Sequence, residues 1–149
     1  MIVNYSNQEI LIREKSIFLA GPTSRGCSLT CWRKEAICIL SKIGYDGVVY
    51  VPEFEHNFNK YDYMNQVYWE REAMNVSNVI SFWIPRKLPE MPAFTTNIEF
   101  GYWLKSGKII YGRPNNAEKI RYLDWIYKEE LKLEPLSNLY DLMQQSIDF

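Results

Sequence analysis

The sequence predicts an α/β protein, a three-layer sandwich whose middle layer is a mostly parallel sheet of four or five strands. One observation is that the strand-like segments are short and apolar throughout, as expected of strands buried on both faces. Another is that helix-like segments separate them, which implies right-handed crossover connections and a doubly wound sheet. The length of 149 residues suits a single domain, predicted to span residues 1–149.

The elements follow in a regular order along the chain. Strands are predicted at residues 17–20, 48–51, 79–83 and 109–111, and residues 1–14 are predicted to add an edge strand through residues 9–12. Helices are predicted at 30–42, 63–76, 96–106, 116–132 and 136–147, where apolar residues recur at helical spacing. No repeat, low-complexity tract or linker interrupts this order.

Composition excludes several functional classes. The net charge of −1, with scattered basic residues, argues against binding to a nucleic-acid polymer. No apolar run approaches the roughly 18–20 residues of a membrane span, and the first residues lack a signal-peptide pattern, so no membrane association is expected.

Cysteine and histidine usage argues against a zinc site, and no metal or cofactor is predicted. Cys27, Cys31 and Cys38 are odd in number and match no zinc-ligand spacing, and His56 is the single histidine. Free thiols are typical of a cytoplasmic protein.

Polar and small residues follow the predicted strands, where open α/β folds bind ligands. Residues 21–25 (Gly-Pro-Thr-Ser-Arg) end the first strand, 52–54 the second, 85–87 the third and 112–114 the fourth. Gly21 allows a close backbone approach, and the hydroxyls with Arg25 could bind a sugar or phosphate. The spacing of Gly21 and Gly26 matches neither a Walker loop nor GxGxxG, so an ordinary strand-to-helix turn explains the segment equally well.

Glu99 is the first candidate catalytic residue. It is predicted to lie in the first turn of the helix after the third strand, where the field of the helix N-terminus keeps a carboxylate ionised. The alternative is that Thr96-x-x-Glu99 forms a capping box, in which the glutamate satisfies the backbone N–H of Thr96.

A second carboxylate, Glu70, is predicted to share a helix face with Tyr63, Gln66 and Trp69. In one interpretation Gln66 and Glu70 face the same cleft as Glu99, and paired carboxylates are what glycosyl chemistry requires. In the other, Trp69 packs on the sheet with Tyr63, while Glu70 is solvated and pairs with Arg71 or Lys60.

Five groups of residues resemble, in order and position, the nucleoside 2-deoxyribosyltransferase-like family, from about residue 16 to 125. They are 17–22 (IFLAGP), 51–53 (VPE), Gln66 with Trp69 and Glu70, 95–101 (TTNxExG), and 107–114 with Tyr111, Gly112, Arg113 and Pro114.

The resemblance implies a flavodoxin-like sheet and cleavage of the N-glycosidic bond of a small nucleoside or nucleotide. Glu99 would attack C1′ of a 2′-deoxynucleoside, and a second base or water would then take up the sugar. The resemblance also implies that Glu99 and Glu70 are the catalytic residues. The predicted substrate-binding residues are Gly21, Pro22, Thr23, Arg25, Glu53, Gln66 and Asn97.

The chain departs from the family pattern at three places. Phe18 stands where a tyrosine is usual, Trp103 where a small residue is usual, and only Asn115 and Asn116 could match an asparagine that a neighbouring subunit supplies. These departures fit a divergent subgroup with altered substrate choice or without catalysis. Hydrolysis of deoxynucleoside 5′-monophosphates, with Thr23, Ser24, Arg25 and Arg33 around the phosphate, and nucleotide sensing without turnover therefore stay open.

A homo-oligomer, a dimer or larger, is also expected. The aromatic share of 15% suits a stacked ligand or a subunit interface. Exposed aromatic side chains are predicted on the C-terminal helices, at Tyr122, Trp125, Tyr127, Tyr140 and Phe149.

Overall fold

The computed structural model describes residues 1–23, 31–54 and 63–149. In these ranges the strands are β1 (Ile2–Tyr5), β2 (Ser16–Ala20), β3 (Val48–Val51), β4 (Val79–Trp83) and β5 (Ile109–Gly112). The helices are α1 (Trp32–Lys42), α2 (Tyr63–Val76), α3 (Phe94–Trp103), α4 (Arg121–Leu131) and α5 (Leu139–Ile147).

The five described strands run parallel in one sheet, in the order β1-β3-β2-β4-β5. From the central strand β2 the chain passes to β3 on one side, and it then crosses to β4 on the other side. The helices after β2 and β3 therefore lie on opposite faces. Such a reversal opens a crevice at the carboxyl ends of the strands, where open α/β sheets bind ligands.

Side chains alternate between the two faces of the sheet, as the twofold period of a strand requires. In β2, Ile17 and Leu19 pack with α1 and α5, whereas Phe18 and Ala20 pack with α2, α3 and α4. Every residue of β2, β3, β4 and β5 is buried. The predicted three-layer sandwich, with strands buried on both faces, is confirmed.

The edge strand predicted within residues 1–14 is present, but its placement at residues 9–12 is wrong, because the strand is β1, which pairs with β3 from Ile2 to Tyr5. The buried side chain of Asn4 fixes the following segment as a loop. Its Nδ2 donates to the carbonyl of Glu9 (3.0 Å), and its Oδ1 accepts from the N–H of Leu11 (3.0 Å). The hydroxyl of Tyr50 donates to the carbonyl of Leu11 (2.7 Å).

Three helices begin elsewhere than predicted. Ala93 has a left-handed conformation (φ 60°), and α3 starts directly after it, at Phe94. Lys119 is also left-handed (φ 52°), so α4 starts only at Arg121. The backbone of Leu136 bonds to both Tyr111 and Arg113 beside β5, which delays α5 to Leu139. For α1, the predicted start at Thr30 lies outside the described residues.

The aromatic residues of the C-terminal helices are exposed with one exception. Tyr122, Trp125, Tyr140 and Phe149 are exposed as expected. The prediction for Tyr127 is wrong, because its ring is 1% exposed and packs edge-on against that of Tyr111, with 5.4 Å between the centroids. No helix in the described ranges combines the length and the hydropathy that crossing a membrane requires.

Candidate functional site

A cleft of about 480 Å³ lies at the carboxyl ends of β2 and β3, between α2 and α3. That volume suits a small organic ligand. The described side chains and backbone around the cleft include seven predicted site residues: Gly21, Pro22, Thr23, Glu53, Gln66, Glu70 and Glu99. Aromatic rings from Phe18, Phe54, Tyr63 and Phe94 line it as well.

Glu99 lies in the second turn of α3, and the predicted first-turn position is wrong. The helix starts at Phe94 with Ala93 as its N-cap, and no side chain caps it. Thr96 lies inside the first turn and is 4% exposed. The capping-box alternative therefore fails, since the helix begins before Thr96.

The carboxyl group of Glu99 is held in the cleft without a hydrogen bond to any described residue. Its pKa is raised to about 7, mainly because it is buried and secondly because the carboxylate of Glu70 repels its charge. The guanidinium of Arg33 opposes this rise. The expectation that a helix N-terminus keeps Glu99 ionised is thus wrong: burial and a second carboxylate favour its neutral form.

Glu70 faces the cleft from α2, and a hydrogen bond orients it. Nε2 of Gln66 donates to Oε1 of Glu70 (2.7 Å) and to the carbonyl of Pro52 (3.2 Å). Burial raises the pKa of Glu70, while the bond from Gln66 and the charge of Arg33 lower it. The interpretation of Glu70 as a solvated partner of Arg71 is wrong, because Arg71 lies over the ring of Tyr102, 5.6 Å from its centroid.

The interpretation in which Trp69 and Tyr63 pack on the sheet is confirmed for Trp69 and wrong for Tyr63. Trp69 is buried on the sheet, where its ring packs edge-on against that of Tyr50 and its Nε1 donates to the carbonyl of Gln8 (2.9 Å). Tyr63 is exposed and borders the cleft. Lys60 lies outside the described residues.

A buried arginine organises the opposite wall of the cleft. Arg33, 2% exposed, forms an ion pair with Oε1 of Glu53 (2.7 Å) and donates to Oγ1 of Thr23 (2.9 Å). It also donates to the carbonyls of Leu19 (3.1 Å) and Gly21. These contacts fix the carboxyl end of β2 to the segment after β3. The carboxylate of Glu53 neutralises the positive charge of Arg33.

Gly21 is required by the local backbone conformation, and it also lines the cleft. Any larger residue is excluded at this position, because φ is +151° and an added Cβ would lie 2.1 Å from the carbonyl oxygen of Trp83. Pro22 accepts a hydrogen bond from Nε1 of Trp32 (2.9 Å). The close approach predicted for Gly21 is thus to the end of β4, although Gly21 also borders the cleft.

Two predicted substrate-binding residues are not in the described cleft. Asn97 is exposed on another side of α3, where its Oδ1 accepts a hydrogen bond from Nη2 of Arg86. Arg25 lies outside the described residues, as do Ser24, Gly26, Cys27 and His56.

Of the three departures from the family pattern, Phe18 borders the described cleft, whereas Trp103 and the two asparagines do not. Phe18 lines the cleft and brings no hydroxyl group to it. Trp103 packs against the core instead, and Nζ of Lys108 lies 4.8 Å from its ring centroid. The tryptophan therefore leaves the cleft open. Asn115 and Asn116 are exposed in the loop after β5.

Sequence reasoning missed two groups of lining residues. Phe94 and Thr95 line the cleft from the first turn of α3, and Phe54 lines it after β3, although no sequence motif had assigned a role to these three residues. The available signal was their position, since Phe54 follows a predicted strand and Phe94 and Thr95 directly precede the predicted helix start, where open α/β folds bind ligands.

The cleft combines an unbonded acid, an oriented carboxylate and aromatic walls. In such a site a carboxylate can attack or stabilise an electron-poor carbon, and a second one can exchange a proton or hold a hydroxyl. The described residues contain no cluster of histidine, cysteine, aspartate and glutamate suited to a metal ion.

Comparison with known proteins identifies a family for most of the chain. Residues 14–117 match the model of the family described as nucleoside 2-deoxyribosyltransferase like. A search of curated proteins finds no match.

The environment of Glu99 predicts a pH-dependent gain of stability for Glu99→Gln. Since folding raises the pKa of Glu99 from 4.5 to about 7, ionisation of this group destabilises the fold as the pH rises through that interval. The neutral amide avoids this cost. We expect the free energy of unfolding to increase by up to about 3 kcal/mol above pH 8, and to change little below pH 4.

Urea unfolding of both proteins at several pH values measures this gain. Glu72→Gln is the matched control, since Glu72 lies exposed on α2 outside the cleft. A gain that is equal at all pH values would contradict the raised pKa.

Proposed function

The chain belongs to the nucleoside 2-deoxyribosyltransferase-like family, and we propose that it cleaves the N-glycosidic bond of 2′-deoxynucleosides and transfers the deoxyribosyl group to another base. The observation that supports this proposal most is the pair of carboxylates, Glu99 and Glu70, on one cleft of nucleoside size.

In the proposed mechanism Glu99 is the nucleophile. One of its oxygens bonds to C1′ while the bond from C1′ to the base nitrogen breaks, and the base leaves with the electron pair and takes up a proton. The nitrogen of a second base then attacks C1′ of the glutamyl ester, loses its own proton, and frees the carboxylate of Glu99. The sugar keeps its configuration because it is inverted twice.

The contacts of the two carboxylates support different roles for them. Glu99 accepts no hydrogen bond from the described residues, so its oxygens are not weakened as nucleophiles by a protein donor. Glu70 is held by Gln66 at 2.7 Å, which suits a group that orients a sugar hydroxyl or assists the leaving base.

The charge around the cleft suits a 2′-deoxy sugar. Without the electron-withdrawing 2′-hydroxyl, positive charge develops readily at C1′ in the transition state. Carboxylates of Glu53, Glu70 and Glu99 face the described cleft, and Arg33 is the one cation among its described lining residues. An anionic, partly buried cleft stabilises such a cation more than water does.

The same charge distribution favours an uncharged nucleoside over a nucleoside 5′-monophosphate. Arg33 was a candidate phosphate ligand, but it is buried and bound to Glu53, Thr23 and two backbone carbonyls. A phosphate in the described cleft would meet carboxylates without a free cation. Hydrolysis of the monophosphate is therefore the second candidate, and it depends on residues beyond those described, such as Ser24 and Arg25.

We expect Glu99→Ala to lower base release by at least roughly 10³-fold, because the variant loses the group that bonds to C1′. Nucleoside affinity should change only a few-fold, because the walls of the cleft remain. Chromatography of deoxyinosine mixed with adenine measures turnover, and thermal stabilisation by deoxyinosine measures binding. Glu72→Ala, on the exposed face of α2, should leave both unchanged.

Other outcomes separate the alternatives. Turnover by Glu99→Ala at the wild-type rate would remove Glu99 from the mechanism. Free base from deoxyinosine monophosphate alone, without a new nucleoside from the mixture, would identify a hydrolase. Stabilisation of the wild type without any base release would identify a sensor.

Glu70→Gln tests the coupling between the two carboxyl groups. The amide keeps an acceptor for Gln66 and removes the negative charge that raises the pKa of Glu99. We expect the acid limb of the pH profile for base release, which follows ionisation of Glu99 near pH 7, to move to lower pH. Because burial is the larger cause, the limb should not fall as far as pH 4.5.

Single-turnover rates between about pH 5 and pH 9 locate this limb independently of the overall rate. Glu72→Gln serves as the control that removes a charge outside the cleft. An acid limb at the same pH in Glu70→Gln and wild type would show that Glu70 does not act on the titrating group.

A further inference from the structure

Arg86, in the segment after β4, is a buried cation without an acid partner. Its side chain is 6% exposed. The other two arginines of the described ranges that are not exposed each pair with a carboxylate, Arg33 with Glu53 and Arg113 with Asp124. Burial lowers the pKa of Arg86, so its charge has an electrostatic cost that no described carboxylate offsets.

The contacts of Arg86 join the start of α3 to the loop before α4. Its Nη2 donates to Oδ1 of Asn97 in α3, and its Nη1 donates to the carbonyl of Lys119 (2.7 Å). Its backbone carbonyl accepts from the N–H of Glu118 (3.1 Å). One residue therefore connects three parts of the fold: the end of β4, α3 and the loop that leads into α4.

These contacts do not suit a residue whose only function is stability. Nε of Arg86 is buried without a hydrogen-bond partner. Both acceptors are neutral, and they lie at or just before the starts of α3 and α4, where the helix field disfavours a cation. An apolar side chain of similar size often gives equal or greater stability in such a place. The arginine therefore points to a function in addition to folding.

The first half of α3 has few other attachments. Its N-cap, Ala93, forms no side-chain hydrogen bond, and only one of residues 94–99 is buried. Within the described ranges, the bond from Arg86 to Asn97 is the only side-chain hydrogen bond that joins residues 94–99 to another element. The same six residues supply four members of the cleft lining: Phe94, Thr95, Thr96 and Glu99.

We propose that Arg86 is a positioning residue, which fixes the start of α3 through Asn97 and thereby places the carboxylate of Glu99 against C1′. Residues two positions apart on a helix do not share a face. Asn97 can therefore be held from outside the cleft while Glu99 faces into it. A displacement of about 1 Å at a reacting group can cost roughly 10²-fold in rate. The catalytic consequence rests on the proposed deoxyribosyl transfer, whereas the placement of Glu99 can be measured without turnover.

Carbon NMR of protein labelled at the glutamate carboxyl groups measures this placement in the absence of substrate. The signal of Glu99 is assigned by its loss in Glu99→Gln. We expect Asn97→Ala to lower the pKa of Glu99 from about 7 to about 6 or less, because a displaced helix start exposes the carboxyl group to water. Asn97→Asp should not lower it, since a carboxylate can still accept the bond from Arg86. The charged groups that face Glu99 in the described cleft stay in every variant: Glu53, Glu70 and Arg33.

Steady-state kinetics of base release measure the consequence for the reaction. We expect Asn97→Ala and Arg86→Met each to lower kcat by roughly 10–100-fold and to change KM only a few-fold, because the cleft walls remain while the nucleophile is displaced. The double variant should lose no more than Arg86→Met alone, since both substitutions remove the same bond. Asn97→Asp should keep kcat within a few-fold of the wild type.

Arg113→Met is the matched control. It removes an arginine that joins the end of β5 to α4 through Asp124 (2.8 Å), and the described hydrogen bonds of Arg113 involve no residue of α3. We expect a lower melting temperature with the pKa of Glu99 and kcat unchanged.

Three outcomes would overturn the proposal: an unchanged pKa of Glu99 in Asn97→Ala, an equal change of that pKa in Arg113→Met, or additive losses of kcat in the double variant. A wild type that releases no base would contradict the proposed function alone, because the NMR titration still decides whether Arg86 positions Glu99.

Discussion

The burial of Glu99 beside Glu70, without a hydrogen-bond donor for its carboxyl group, is the constraint on which the site depends. Elsewhere in the described cleft each acid has a partner: Glu53 has Arg33, and Glu70 has Gln66. An unpartnered acid in a low-dielectric cleft costs stability when it ionises. That cost makes a catalytic interpretation stronger than a structural one, because no packing or capping function of Glu99 is found.

Arg33 connects this site to the fold. A buried guanidinium is costly unless its donors are bound, and Arg33 binds two carbonyls, a hydroxyl and a carboxylate within one network. The network joins the end of β2 to the segment after β3. It also uses up the positive charge that a phosphate would need, so the same contacts that stabilise the fold disfavour a charged substrate in the described cleft.

Much of the architecture could be predicted from the sequence, since continuous apolar runs specify strands buried on both faces and parallel strands bring their carboxyl ends together. Glu53, Gln66, Glu70 and Glu99 meet in one cleft for this reason. Asn97 does not join them, and helix geometry alone could have excluded it, because residues two positions apart on a helix do not share a face.

Other features depended on contacts that local sequence does not encode. The loop at residues 9–12 is fixed by Asn4 and by Tyr50, which is distant in sequence. The start of α3 follows from the left-handed conformation of Ala93, a residue type that seldom adopts it. The raised pKa of Glu99 follows from its burial and from the charge of Glu70, whereas the sequence suggested only the field of a helix end.

The most direct measurement of the central claim is the mass of the peptide that contains Glu99 after acid quenching of the protein with a deoxynucleoside and no acceptor base. The account predicts that this peptide gains the mass of one deoxyribosyl group, and that adding an acceptor base removes the adduct as a new nucleoside appears. Turnover without an adduct, or an adduct on Glu70 instead, would contradict the assignment of Glu99 as the nucleophile.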